Sequence, residues 1–504
     1  MRENGINNKR GAGILMPVSS LPSEFGIGTL GKGAYAFVDW LESAGMKIWQ
    51  VLPLLPTGYG DSPYQSCASD ALNYYFIDFA LLEEEGLLEK SDYADIVWSE
   101  DERRVDYGKQ FACKIEVLRK AFARFDRADK RWLSFLEEGK YKDFALFMTL
   151  KRKFSYAPWT VWEEPYKSCD IPQAFYAEYA DEIDFWQFTQ YIFLGQWNAL
   201  RQYAKMKGVS IMGDMPIYLA EDSVENWKYR DKLFLLDGEG NLALRAGVPP
   251  DAFSEDGQFW GNPIYNWEKM KKDGYTWWHN RIQNAFDTQF DIIRIDHFRA
   301  FDRFFAIPSD AESAKEGEWQ DGPKAELFAP FKNASIVAED LGVIDDGVRK
   351  LLKDTGYPGM KVFEFAFDGD PDNDYLPSNI TMENCVVYTG THDNDTLRSF
   401  IESKTKEERK LFEKVLEEEC LNAEVAYVTE TIEDECQTII ELLMSLKADT
   451  VIIPMQDILC MGTEARLNAP STVSNQNWTF RFTEKDFKRK KAAWLKNLTE
   501  IYKR

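Results

Sequence analysis

Three short apolar runs in this chain end in carboxylic acids. Ile292-Ile293-Arg294-Ile295 leads to Asp296 and His297, Ile336-Val337-Ala338 to Glu339 and Asp340, and Tyr388-Thr389-Gly390-Thr391 to His392 and Asp393. Carboxylates gathered at one rim are equipment for proton transfer and nucleophilic attack. In an extended strand alternate side chains share a face, so Arg294 and Asp296 point one way and Ile293 and Ile295 the other. A guanidinium beside a carboxylate favours its ionised form. Glu339 and Asp340 are adjacent and must face opposite ways, so only one of them can serve a common site. The chain has only three histidines, and two of them, His297 and His392, adjoin these acids. The blander reading makes each acid a helix cap or the partner of a nearby arginine. Helix caps, however, require neither an inward arginine nor a flanking histidine.

The elements that would position these acids recur along the chain. Apolar, β-rich runs lie at 13–17, 48–54, 209–219, 291–296, 335–341, 360–367, 385–390 and 450–457, with helical periodicity between them, as at 35–44 and 185–207. Several runs are almost continuously apolar, as strands buried on both faces should be. Such alternation predicts an α/β fold, a (β/α)8 TIM barrel, whose chemistry sits at the C-terminal strand ends where the three acids fall. No Pro/Gly/Ser-rich linker divides the chain, so residues 1–504 read as a single catalytic barrel with inserted subdomains. The largest insertion, about residues 74–180 between the second and third strands, is mainly helical by pattern. A second, about residues 220–285 between the third and fourth strands, is rich in Gly, Pro, Trp and Asp and reads as loops.

Composition narrows the partners. The 60 basic and 84 acidic residues leave a net charge of −24, which opposes nucleic acid. The seven cysteines are scattered without C-x-x-C spacing, so they read as reduced thiols of a cytoplasmic protein rather than a disulfide framework or zinc site. Residues 1–11 are polar, and no long apolar stretch predicts a membrane span. Gly26-x-Gly28-x-x-Gly31 matches a dinucleotide fingerprint by letter, but it does not directly follow its strand and no acid ends the next one. Asp368-x-Asp370-x-Asp372 opens like a calcium loop, yet Asn373 stands where Gly is needed and Asn379 where Glu is needed. No cofactor and no metal are expected.

The segments Arg294-Ile295-Asp296-His297-Phe298-Arg299, Val337-Ala338-Glu339-Asp340-Leu341-Gly342 and Gly390-Thr391-His392-Asp393-Asn394-Asp395-Thr396 resemble the catalytic segments of the amylomaltases, the 4-α-glucanotransferases of glycoside hydrolase family 77. The resemblance runs almost end to end. Ser20-Leu21-Pro22-Ser23 is similar to the family's opening, and Gly58-Tyr59-Gly60-Asp61-Ser62-Pro63-Tyr64-Gln65-Ser66 to its first glucan-contacting loop. Gly213-Asp214-Met215-Pro216-Ile217-Tyr218 resembles the third-strand segment. Gly247-Val248-Pro249-Pro250-Asp251 and Gly257-Gln258-Phe259-Trp260-Gly261-Asn262-Pro263 resemble the substrate loop. Departures fall near the end, where Pro470-Ser471-Thr472 replaces a Pro-Gly and Phe480 stands where Trp is commoner.

That resemblance implies a retaining transfer between malto-oligosaccharides, with Asp296 as nucleophile, Glu339 as general acid and base, and Asp393 as stabiliser of the transition state. Tyr59, Asp61, Ser62, Asp214, Asp251, Trp260, Arg294, His297 and His392 are implied around the sugar. Tyr59 and Trp260 also stand out without it, as aromatics among Gly, Pro and Asp where no core periodicity demands them. Two rivals use the same barrel: a hydrolase with water as acceptor, and a glucan-binding protein, which would normally lack one of the acids.

Overall fold

The computed structural model describes residues 10–250, 256–342 and 344–504, with Tyr59 described in its backbone alone. Its strands in chain order are β1 (Gly11–Leu15), β2 (Ile48–Gln50), β3 (Ser210–Met215), β4 (Leu244–Val248), β5 (Gln258–Pro263), β6 (Ile292–Ile295), β7 (Arg303–Pro308), β8 (Glu318–Asp321), β9 (Ile336–Ala338), β10 (Gly359–Val362), β11 (Cys385–Tyr388) and β12 (Thr450–Pro454). Eight of them form one parallel sheet in the order β10-β11-β12-β1-β2-β3-β6-β9. The Ala338 N–H donates to the Pro358 carbonyl at 2.9 Å, which draws β9 to the start of β10 and closes the (β/α)8 barrel. Each of the eight apolar runs overlaps one of these strands, and strands such as Thr450-Val451-Ile452-Ile453-Pro454 are buried at every position.

Helices fill the long interval between β2 and β3. Lys130–Glu138 and Lys142–Lys153 are separate helices because Gly139 stops the first in the left-handed conformation, φ 66°. The helix Ala180–Met206 packs Trp186, Phe188, Phe193 and Trp197 inward, and the Trp197 indole donates to the Gln289 carbonyl at 3.0 Å, just before β6. The C-terminal helix Arg489–Tyr502 buries Leu495 and Leu498 and packs against the helices Lys32–Ser43 and Ile432–Ser445.

The stretch after β3 departs from its reading as loops. It contains β4, β5 and the helices Trp267–Lys272 and Thr276–Thr288. With β7 and β8 it makes a second, antiparallel sheet in the order β5-β4-β7-β8. Local pattern is blind to it because β4 and β5 are short and hold Gly247 and Gly261, and β4 takes its second partner, β7, from beyond β6.

One contact sets how β3 lies against β6. Asp214 sits opposite Arg294 in the ladder, and on the outer face of β3 a Cβ at Gly213 would fall 2.2 Å from the ring of Phe290, which precedes β6. Gly213→Ala must therefore push Phe290 away or part the strands. We expect it to destabilise the fold by about 1–3 kcal/mol, the usual range for overpacking. Urea unfolding reads this as a lowered midpoint; an unchanged midpoint would show that Phe290 yields freely.

Candidate active site

The rim where β3, β6 and β9 end assembles the first acids. The ladder continues past the strands: Asp296 N–H donates to the Met215 carbonyl and Glu339 N–H to the Ile295 carbonyl, both at 3.0 Å. These bonds fix the backbone of each acid one residue beyond its strand. Arg294 Nη1 then lies 2.7 and 2.8 Å from the two oxygens of Asp214 and 3.1 Å from Asp296 Oδ1. Asp214 has no accessible side-chain surface, whereas 28% of the Asp296 side chain is accessible. Asp214 and Arg294 thus reach the site through Asp296, and only Asp296 presents an open carboxylate.

Alternation sorts the next two acids. Glu339 accepts the His297 N–H and the Leu341 N–H, each at 2.7 Å. Asp340 turns the other way and accepts the Met360 N–H at 2.6 Å, packed so closely on Gly359 that a Cβ there would meet its carboxylate at 2.6 Å. Glu339 is the member of the pair that faces Asp296. His297 adopts the left-handed conformation, φ 49°, and its half-buried ring meets that of Trp260 edge-on, centroids 4.9 Å apart.

The third acid arrives after β11. Asp393 Oδ1 accepts from Asn468 Nδ2 at 2.7 Å, the Asp393 carbonyl accepts from Arg466 at 2.8 Å, and 45% of the side chain stays accessible. His392 Nε2 is 3.5 Å from Asp393 Oδ1. On its other side His392 stacks on Tyr64, centroids 5.1 Å apart and 16° between planes, and Trp478 leans on both rings. The Tyr64 hydroxyl donates to Asp214 Oδ2 at 2.7 Å and lies 3.5 Å from His392 Nδ1. Tyr64 is therefore the link between the two halves of the site.

Burial pushes both facing acids upward. Asp296 rises to about 6, with Arg294 the main force opposing. Glu339 rises to about 7, chiefly by burial, with Arg294 opposing and the charge of Asp296 adding. Arg294 favours the ionised form of Asp296, as strand alternation suggested, but does not cancel the effect of burial; Asp296 stays the more acidic of the two. Burial likewise pushes His297 down to about 3, with Arg299 adding, so its ring is neutral beside the acids.

The remaining expected residues divide. Trp260 lies on β5 rather than in a loop, its indole donating to Gln258 at 3.1 Å. Asp61 sits in a tight turn at φ 57°, raised by burial. Ser62 Oγ accepts the Tyr64 N–H at 3.2 Å and so shapes the turn that aims Tyr64. The side chain of Tyr59 and the whole of Asp251 lie outside the described residues. Tyr64, Asn468, Arg466 and Trp478 were not singled out as site residues. Tyr64 stood within a segment that carried the resemblance and Trp478 lies two residues before the departure at Phe480, but no spacing marks Asn468, whose partner Asp393 is 75 positions away.

Residues 16–486 match the glycoside hydrolase 77 family model, described as 4-alpha-glucanotransferase. The 4-alpha-glucanotransferase of Clostridium butyricum is 42% identical over 499 residues, 97% of this chain and 100% of that protein. The structure of an amylomaltase from Streptococcus agalactiae in complex with acarbose superposes with a TM-score of 0.91 at 40% identity, covering 98% of this chain and 100% of that one. An amylomaltase from Corynebacterium glutamicum shares the fold at 17% identity, with a TM-score of 0.79 over 98% of this chain and 75% of that one.

Tyr64→Phe removes the hydroxyl that joins Asp214 to His392 while keeping the ring stack. A hydrogen bond to a charged group contributes about 1.5–3 kcal/mol, so we expect a lowered urea midpoint and, as the link between the halves is lost, a fall in kcat/KM for glucan transfer of about tenfold or more. Unchanged kinetics would show that the two halves of the site are held independently.

Proposed function

Because the chain belongs to glycoside hydrolase family 77, the 4-α-glucanotransferases, we propose that it moves a glucan from one malto-oligosaccharide to the 4-OH of another through a covalent glycosyl-enzyme on Asp296, with net retention. One observation carries this reading: a carboxylate bonded to Arg294 shares the rim with a second carboxyl that burial and its neighbour's charge keep protonated to higher pH.

In the first step Asp296 attacks the anomeric carbon while Glu339 donates its proton to the departing glycosidic oxygen. Esterification removes the charge of Asp296, and with it one of the forces raising Glu339. Glu339 then becomes the stronger base and takes the proton from the incoming 4-OH. Asp393, fixed by Asn468 and beside His392, is positioned to hold the ring hydroxyls as positive charge develops. Trp260 and the neutral His297 form an apolar wall on the other side, where an acceptor sugar can stack and water is excluded. Tyr59, Asp61, Ser62 and Asp251 are the further contacts proposed for the sugar chain. All seven cysteines are free, which supports a reducing, cytoplasmic setting, and no described helix is long and apolar enough to cross a membrane.

Maltotriose alone, with products resolved by size across pH, tests this reading. We expect glucose together with chains longer than the substrate. The rate should need Asp296 ionised and Glu339 protonated, so kcat/KM should rise through about pH 6 and fall from about pH 7, the two limbs belonging to the coupled pair. Glucose and maltose without longer chains would make the protein a hydrolase. A rate still climbing above pH 8 would remove Glu339 as the acid.

A further inference from the structure

The transfer mechanism uses none of the cysteines, yet two of them are placed for chemistry. Cys436, buried on the helix Ile432–Ser445, and Cys460, partly exposed just after the helix Met455–Ile458, bring their Sγ atoms to 3.7 Å. Cys460 occupies the left-handed region at φ 52°, a conformation that a β-carbon disfavours. The contact with Cys436 and the charges of Arg398 and Lys491 favour its thiolate, against burial and Glu433.

The turn holding Cys460 is joined to the active site on both sides. Upstream, its N–H donates to the Asp457 carbonyl at 3.1 Å. The Asp457 carboxylate accepts from the Thr389 hydroxyl at 2.6 Å and the Leu397 N–H at 2.8 Å, and so braces both ends of the segment that carries His392 and Asp393. Downstream, Thr463 donates to Asp395 at 2.8 Å, Arg466 to the Asp393 carbonyl at 2.8 Å and Asn468 to the Asp393 carboxylate at 2.7 Å.

We propose that Cys436 and Cys460 form a peroxide-sensitive dithiol whose disulfide lowers transferase activity by displacing the segment that holds Asp393. The Cys460 thiolate attacks hydrogen peroxide. The O–O bond breaks, a sulfenic acid forms on Cys460, and the leaving hydroxide takes a proton to become water. Cys436 sulfur then attacks the Cys460 sulfur, the S–OH bond breaks, and its hydroxide leaves as water with the Cys436 proton. Two thiols lose two electrons and peroxide gains them. Closing the bond brings the sulfurs from 3.7 Å to about 2.05 Å. The helix bearing Cys436 is anchored at its end by Arg504, which donates to the carbonyls of Met444 at 2.7 Å and Leu446 at 2.6 Å. The turn bearing Cys460 is therefore the part that moves. This second half of the proposal rests on Asp393 serving the proposed reaction.

Purified protein is treated with hydrogen peroxide, then mapped by mass spectrometry of unreduced peptides and assayed on maltotriose. We expect a cross-linked Cys436–Cys460 peptide pair two hydrogens lighter. A misplacement of about 1 Å can cost about 10²-fold, so activity should fall at least about tenfold and return with dithiothreitol. Cys436→Ser and Cys460→Ser should match the reduced wild type in basal activity, form no cross-link and keep their activity at that dose. A Cys460 sulfinic acid without cross-link, or a different cysteine pair joined, would overturn the dithiol. A cross-link with unchanged activity, or equal loss in both serine variants, would overturn the coupling to Asp393. Were the untreated protein inactive on maltotriose, the proposed reaction would fail while the peptide map still judged the dithiol.

Discussion

Arg294 Nη1 touches three carboxylate oxygens, two from Asp214 at 2.7 and 2.8 Å and one from Asp296 at 3.1 Å, in a place where its side chain is almost fully buried. Removing one partner of such a buried pair typically costs about 3–5 kcal/mol, because the other charge is left uncompensated. Much of the surrounding structure serves this contact. The β3–β6 register puts Asp214 opposite Arg294, the bare Gly213 lets Phe290 close the strands, and Tyr64 adds a hydrogen bond to Asp214. What remains of the arginine's field falls on Asp296. One cation thus both cements the barrel rim and orders the protons of the two acids above it.

That ordering explains why burial does not spoil the site. A buried carboxyl is driven toward its neutral form, and both Asp296 and Glu339 are so driven. Arg294 is bonded to Asp296 and acts on Glu339 only at longer range, so the first proton leaves Asp296. The two N–H bonds to Glu339 hold it in place without removing its proton near neutrality. Asp393 stands apart from this pair. Its position depends on Asn468 and Arg466, from the far end of the chain, and makes the third acid the part of the site most open to control from outside it.

The barrel was legible because strands buried on both faces leave unbroken apolar runs. The same logic misplaced boundaries: the run at 209–219 yields a strand only at Ser210–Met215, because Pro216 has no N–H to continue the ladder, and the run at 360–367 leaves β10 at Val362 for a helical turn. Alternation correctly separated Glu339 from Asp340, a consequence of geometry alone. The antiparallel sheet was not legible, because its pairings join short segments from either side of β6. Nor was the Tyr64–His392–Trp478 stack, whose members lie in three distant loops and meet only once the barrel closes. The raised pKa of Asp296 was also hidden, since it follows from burial and no sequence motif expresses burial directly.

Asp296, ordered by Arg294, is the group we propose to bond the sugar. That role is tested most directly by Glu339→Gln treated with α-maltosyl fluoride, whose fluoride departs without a proton from the missing acid. We expect the glycosyl-enzyme to accumulate and peptide mass spectrometry to find one maltosyl ester, on Asp296. An adduct on Asp393, or the same adduct formed by the double variant that also carries Asp296→Asn, would contradict it.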